Sequence, residues 1–147
     1  MKIGIASDHR GYPLKEQIIK ELQKENYEVV DYGTNSEEST DYPDYGILLG
    51  EKVRDKEVTY GVAICGSGIG ISIACNKVKG IRCAKVSTPE EAKVTRIDNN
   101  SNIVAFGEKT TLEEALHIIK VFINTDFSEE EKHHRRVNKI IAYEENN

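Results

Sequence analysis

Among its 147 residues the chain has no tryptophan, one methionine, three prolines and only three cysteines. The missing tryptophan excludes nothing. The shortage of long apolar runs excludes more. The longest, such as Ile47–Leu49 and Ile103–Phe106, fall far below the roughly 20 residues of a membrane-spanning helix, so no membrane partner is expected. No charged-then-apolar leader precedes the strand-like opening MKIGIAS, which makes secretion by that route unexpected. An odd number of cysteines without such a leader points to a reducing, cytoplasmic setting with thiols that are buried or reactive rather than paired. An excess of positive charge is also missing: 20 Lys and Arg against 25 Asp and Glu leave a net charge of −5. That balance argues against nucleic acid as a partner, although a few converging cations can still hold a small anion. His133 and His134 are adjacent, and no other cluster has metal-ligand spacing, so no metal site is expected. There is no internal repeat, no low-complexity tract and no Pro/Gly/Ser linker, and residues 1–147 read as one domain.

What the chain does have is alternation. Short β-branched segments at Lys2–Ala6, Glu28–Tyr32, Thr59–Cys65, Ile81–Val86 and Asn102–Phe106 read as strands. Between them lie amphipathic stretches. Pro13–Asn26 carries Leu14, Ile18 and Leu22 at helical spacing, with Pro13 suited to a first turn. Tyr42–Asp55, a helix after the glycines through Val78, Thr88–Asp98 and Thr111–Asn124 follow. Ser128 with Glu131 resembles a capping box opening a last, highly charged helix. Strand–helix alternation predicts an α/β fold: a parallel sheet with helices on both faces and right-handed crossovers. Ligands of such sheets bind beyond the carboxyl ends of the strands. The loops Ser7–Tyr12, Gly33–Pro43 and Cys65–Gly70 all follow strands, so they are expected on one edge.

Chemistry concentrates in those loops. GVAICGSGIG at Gly61–Gly70 ends a buried strand in a thiol, then alternates glycines with Ser67 and Ile69 before a helix. Free amides at a helix start make an anion site, and a thiol there tends toward the thiolate. Buried packing of Cys65 is about as good a reading by spacing alone. The glycines fit a dinucleotide fingerprint poorly and follow the third strand rather than the first. Asp8 beside His9 supplies a proton shuttle or, read singly, a helix cap. Tyr42 in TDYPDY could face a sugar or simply start a helix. The amide-rich Arg96–Asn102 segment suits a turn. Lys132, His133 and Arg136 form either a solvated helix face or a phosphate clamp.

Taken in order, SDHRGY, DYGT, TDYPDY, ICGSGIGISIACNKVKGIR, RxxNNSN, AFG and the C-terminal HxxR resemble the type B ribose-5-phosphate isomerase family, which includes galactose-6-phosphate isomerase relatives. The resemblance covers nearly the whole chain. It implies an open five-stranded parallel sheet, a Rossmann-like or flavodoxin-like three-layer sandwich with an extra C-terminal helix. It further implies a homodimer, from which a tetramer can form, with active sites shared between subunits. The implied reaction interconverts ribose 5-phosphate and ribulose 5-phosphate without metal or organic cofactor. Cys65 would be the base, with Gly66, Ser67, Gly68 and Gly70 donating to the enediolate. Asn76 would order the loop. Asp8, His9, Tyr42 and Asn99 would line the substrate, and Lys109, Lys132, His133 and Arg136 its phosphate side.

Three departures stand out. Where the family has Arg-x-His-Asn, its His assigned to opening the furanose ring, this chain has Asp98, whose reference pKa of about 3.9 makes it a poor acid at neutral pH when exposed. Lys109 and Lys132 replace Arg and lose the bidentate fork. Glu130-Glu131 replaces a Gly pair. Besides the pentose reading, an isomerase of a six-carbon sugar phosphate (galactose 6-phosphate or allose 6-phosphate) and a non-catalytic sugar-phosphate-binding protein both follow from these changes. Cys75 and Cys83 read as packing residues.

Overall fold

The structure, a computed structural model, describes residues 1–147. Five strands, β1 (Lys2–Ser7), β2 (Glu28–Asp31), β3 (Tyr60–Cys65), β4 (Cys83–Lys85) and β5 (Ile103–Gly107), alternate with α1 (Tyr12–Lys24), α2 (Tyr42–Arg54), α3 (Ile69–Asn76), α4 (Pro89–Asn99) and α5 (Leu112–Ile123). A last helix, α6 (Glu131–Glu145), closes the chain. All strand pairs are parallel, in the order β2-β1-β3-β5-β4.

Side-chain alternation along the strands divides the core. Ile3, Ile5, Val62, Ile64, Val104 and Phe106 face one side, against Leu14, Ile18 and Leu22 of α1 and Ile118, Ile119 and Phe122 of α5. Ala6, Ala63, Cys65 and Ala105 face the other, against Leu49 and Val53 of α2 and Ile71 and Cys75 of α3. The small residues on that second face let α2 and α3 lie close. α4 packs beside α5, and α6 against α4.

Helix starts follow local chemistry. Thr88 accepts from Glu91 N and Thr111 from Glu114 N, each capping its helix. The last helix starts later than the capping-box pattern predicts. Ser128 Oγ accepts from Glu130 N at 2.9 Å and His134 Nε2 donates to Ser128 O at 2.7 Å, so Ser128 shapes a turn and the helix begins at Glu131. The fourth strand is three residues rather than six. It lies at the sheet edge, where Asn102 Oδ1 takes the Arg82 amide at 2.8 Å before the ladder begins. The helix expected through Val78 ends at Asn76. Asn76 also differs from expectation in its role. Its amide exchanges two hydrogen bonds with the Cys83 backbone, at 2.9 and 2.8 Å, and so ties α3 to β4 rather than ordering the glycine loop.

The chain winds outward in opposite directions from β1 and β3. The crevice between their carboxyl ends is where ligands bind in such sheets.

Candidate active site

Three loops meet at that crevice. The first follows β1: Asp8, 5% exposed, accepts the amides of Arg10 and Gly11 at 3.0 Å each, which fixes the turn into α1. Asp8 accepts amides as the cap reading expected, but those of the turn before α1 rather than of the helix itself, and its carboxylate is engaged internally. The second loop follows β2. Its Thr40 grips His9 from both ends, with the His9 amide donating to Thr40 Oγ1 at 3.0 Å and the Thr40 amide donating to His9 Nδ1 at 3.1 Å. An amide can only donate, so Nδ1 is the acceptor and the proton of a neutral ring sits on Nε2, the atom left free for a ligand.

The third loop follows β3. Cys65 is 4% exposed, and its Sγ accepts the Gly68 amide at 3.2 Å. Gly68 has φ +82°, a conformation that glycine adopts at little cost, and a Cβ there would lie 2.6 Å from the Phe106 carbonyl carbon. Ser67 Oγ accepts from Ile69 N at 3.1 Å and is exposed. Helix geometry leaves the Gly70 and Ile71 amides of the first turn of α3 without partners in the helix. Tyr42 lies over Gly70, so close that a Cβ there would be 2.7 Å from its ring. The arrangement is a thiol, a hydroxyl and free amides converging under an aromatic wall.

Arg10 crosses above Gly66 and pairs with Glu108 through Nε at 2.6 Å. A cleft of about 560 Å³ opens beyond it, lined among others by Arg10, Ser67, Lys85, Lys109 and Glu114. Sequence reasoning passed over Thr40, Arg10 and Lys85. The first two lie inside quoted segments, but their partners are 31 and 98 positions away, beyond any local pattern. No group of three His, Cys, Asp or Glu side chains is placed to hold a metal.

Asp8, His9, Tyr42, Cys65, Gly66, Ser67, Gly68, Gly70 and Lys109 therefore share the carboxyl edge. The other expected site residues do not. Asp98 and Asn99 end α4 at the amino edge, where the carbonyls of Asn99 and Asn100 accept Arg82 Nε at 3.0 and 3.1 Å. With strands of up to six residues, the two edges are roughly 20 Å apart. His133 stands beside Asp98, its Nε2 3.4 Å from Oδ1, while its Nδ1 is 3.4 Å from Glu130. Lys132 and Arg136 of α6 are exposed. Of the two acidic residues in place of the Gly pair, Glu130 turns toward His133 and Glu131 pairs with Arg135.

Residues 3–140 match the family described as Ribose/Galactose Isomerase. Ribose-5-phosphate isomerase B of Escherichia coli (strain K12) is 41% identical over 145 residues, covering 98% of this chain and 97% of that one. The solved Clostridium thermocellum ribose-5-phosphate isomerase B superposes with a TM-score of 0.94 at 46% identity, covering 99% of both chains. The Mycoplasma genitalium ribose-5-phosphate isomerase B, solved with ribulose-5-phosphate bound, gives a TM-score of 0.92 at 37% identity over 99% of this chain and 97% of that one. The chain belongs to the ribose/galactose isomerase family.

Proposed function

We propose that this protein interconverts ribose 5-phosphate and ribulose 5-phosphate through an enediolate, with Cys65 as the base, in a site completed by a second copy of the chain. The observation that carries the reading is the Cys65 sulfur held at the end of β3 by the Gly68 amide, beside the free amides of α3. The E. coli relative bears the name of this activity, and the M. genitalium relative holds its ketose.

In this reading the Cys65 thiolate takes the C2 proton of the open-chain aldose, and the electron pair forms the C1–C2 double bond as the carbonyl oxygen becomes anionic. The loop amides and the Ser67 hydroxyl stabilise that oxygen. The thiol returns the proton to C1 as the C2 hydroxyl proton passes to O1 and the C2 carbonyl forms. His9 offers Nε2–H to the substrate, Tyr42 walls the sugar, and Lys109 stands at the same edge. No step calls on a metal or organic cofactor.

The amino-edge residues reach this crevice only from another chain. A twofold axis perpendicular to the strands reverses the partner's strand direction and brings its amino edge to the carboxyl edge. Ile69 and Ile73 of α3 (55% exposed each) and Ile47 of α2 (41%) form an apolar face suited to such a contact. Asn99, Lys132 and Arg136 then bind the substrate from the partner.

The test is a coupled isomerisation assay on ribose 5-phosphate, with galactose 6-phosphate and allose 6-phosphate in parallel. Turnover of ribose 5-phosphate should fall by about 10²–10⁴-fold in Cys65→Ala. Turnover of a six-carbon substrate alone would replace the pentose reading, and turnover of none would leave a binding protein.

A further inference from the structure

Arg10 stands at the carboxyl edge with no part in the scheme above. Resting on the isomerase reading, we propose that Arg10 binds the substrate's phosphate, supplying the guanidinium fork that Lys109 lacks, and that Glu108 is its positioning residue. A lysine at 109 offers a point charge, without the planar two-pronged grip that suits a phosphate. Arg10 brings a guanidinium to the same cleft from the loop after β1. A guanidinium carries five N–H donors in a fixed fork. In Arg10 only Nε is engaged, 2.6 Å from Glu108 Oε2, and the side chain is 58% exposed, so the donors of its terminal edge are open to a ligand.

The group is held in place as well as exposed. It lies directly on the glycine loop: a Cβ at Gly66 would be 2.7 Å from Nη1 and 2.8 Å from Cζ of Arg10. Only a bare backbone leaves it that seat. On its other side Glu108 Oε2 is buried, and Arg10 is the cation beside it. Glu108 directly precedes Lys109, so the ion pair draws the guanidinium into the cleft that Lys109 lines. Lys85 joins them there, its Nζ donating to Ser87 Oγ at 3.0 Å. Three cations thus line the cleft against one carboxylate, Glu114. That balance fits a phosphate dianion and makes an acidic protein locally attractive to it. The cleft shares Gly66 and Ser67 with the catalytic loop, so one extended sugar phosphate can lie across both.

Steady-state kinetics on ribose 5-phosphate and calorimetry with inorganic phosphate test this together. Arg10→Ala should raise KM by about 10–100-fold, the range for hydrogen bonds to a charged group, with most of the change in KM rather than kcat. Inorganic phosphate should bind that variant more weakly by a similar factor. Its urea midpoint should hardly move, because a half-exposed ion pair contributes little to stability. Arg10→Lys should recover only part of the loss. Adding Lys109→Arg to Arg10→Ala should bring KM back to within about threefold of the unaltered protein, because the fork returns from across the same cleft. A loop merely braced by Arg10 would not be repaired in that way, and absence of the rescue would overturn the proposal. Glu108→Gln should raise KM by releasing the guanidinium, and a lowered KM would overturn the positioning role of Glu108. An unchanged KM in Arg10→Ala would overturn the phosphate role, even with weaker binding of inorganic phosphate, since Arg10 would then hold a separate anion. If the unaltered protein turned over no ribose 5-phosphate, the isomerase reading would fall and calorimetry alone would decide. Equal affinity for inorganic phosphate with and without Arg10 would then overturn the proposal, and weaker affinity in Arg10→Ala would support it.

Discussion

Cys83 has its thiol pushed well above the ordinary 9.0, first by its hydrogen bond with Cys75 and then by burial. A group that holds its proton more tightly folded than unfolded stabilises the fold below the unfolded value. That contribution is lost as pH rises through the folded one. Between about pH 8 and 10, the unfolding free energy of the unaltered protein should fall more steeply than that of Cys83→Ala, as read from urea titrations. Catalytic rate at neutral pH should change little, because Cys83 lies at the start of the edge strand, away from the crevice. The packing role of both cysteines was legible from their places in a helix and a strand. Their contact was not, because it depends on how α3 meets β4. The same holds for His133. Its type and neighbours suggest a clamp, and only the seating of α6 against α4 turns its ring inward.

Arg96 holds the end of α4. It is 5% exposed, and its guanidinium donates to Thr125 O at 2.9 Å, Ser101 O at 2.7 Å and Asn100 Oδ1 at 2.9 Å while stacking on Tyr60, 5.0 Å from the ring centroid. No carboxylate pairs with it, so its donors serve oxygens of the turn into β5 and the Thr125 carbonyl just past α5. Arg96→Ala should cost about 2–4 kcal/mol in urea unfolding, because it strands those carbonyls and leaves a gap against Tyr60 and Phe122. Arg96→Lys should recover only part of that, since an ammonium cannot span three acceptors in one plane. At this scale the sequence was informative about element type and less so about ends. Strands and helices announce themselves by period, whereas termini depend on bonds such as Asn76 to Cys83 or Ser128 to Glu130. The Arg96–Asn102 segment reads as a turn by composition, but Arg96–Asn99 are the last turn of α4 and the chain turns only from Asn100, at φ +48°. Its buried arginine has no local signature.

For the whole molecule, parallel topology dictates that residues after strands and residues before strands lie on opposite edges. Cys65 and Arg136 belong to opposite edges, so one catalytic site can use both only across two chains. The pattern of segments in the sequence carries this list of residues but not their division, which appears once strand direction is fixed. The division has a quantitative consequence. Cys65→Ala removes the base, and Arg136→Glu puts a repelling charge where the partner would hold the phosphate. Each variant alone should be inactive on ribose 5-phosphate. Unfolded together in equal amounts and refolded, random pairing makes half of the dimers hybrids. In each hybrid one site combines the intact Cys65 of one chain with the intact Arg136 of the other, and the second site carries both changes. The mixture should therefore recover about a quarter of the unaltered activity. Recovery near zero, with hybrids demonstrated by mass spectrometry, would mean that each site is built within one chain. Activity of Arg136→Glu on its own would instead mean that Arg136 has no part in the reaction.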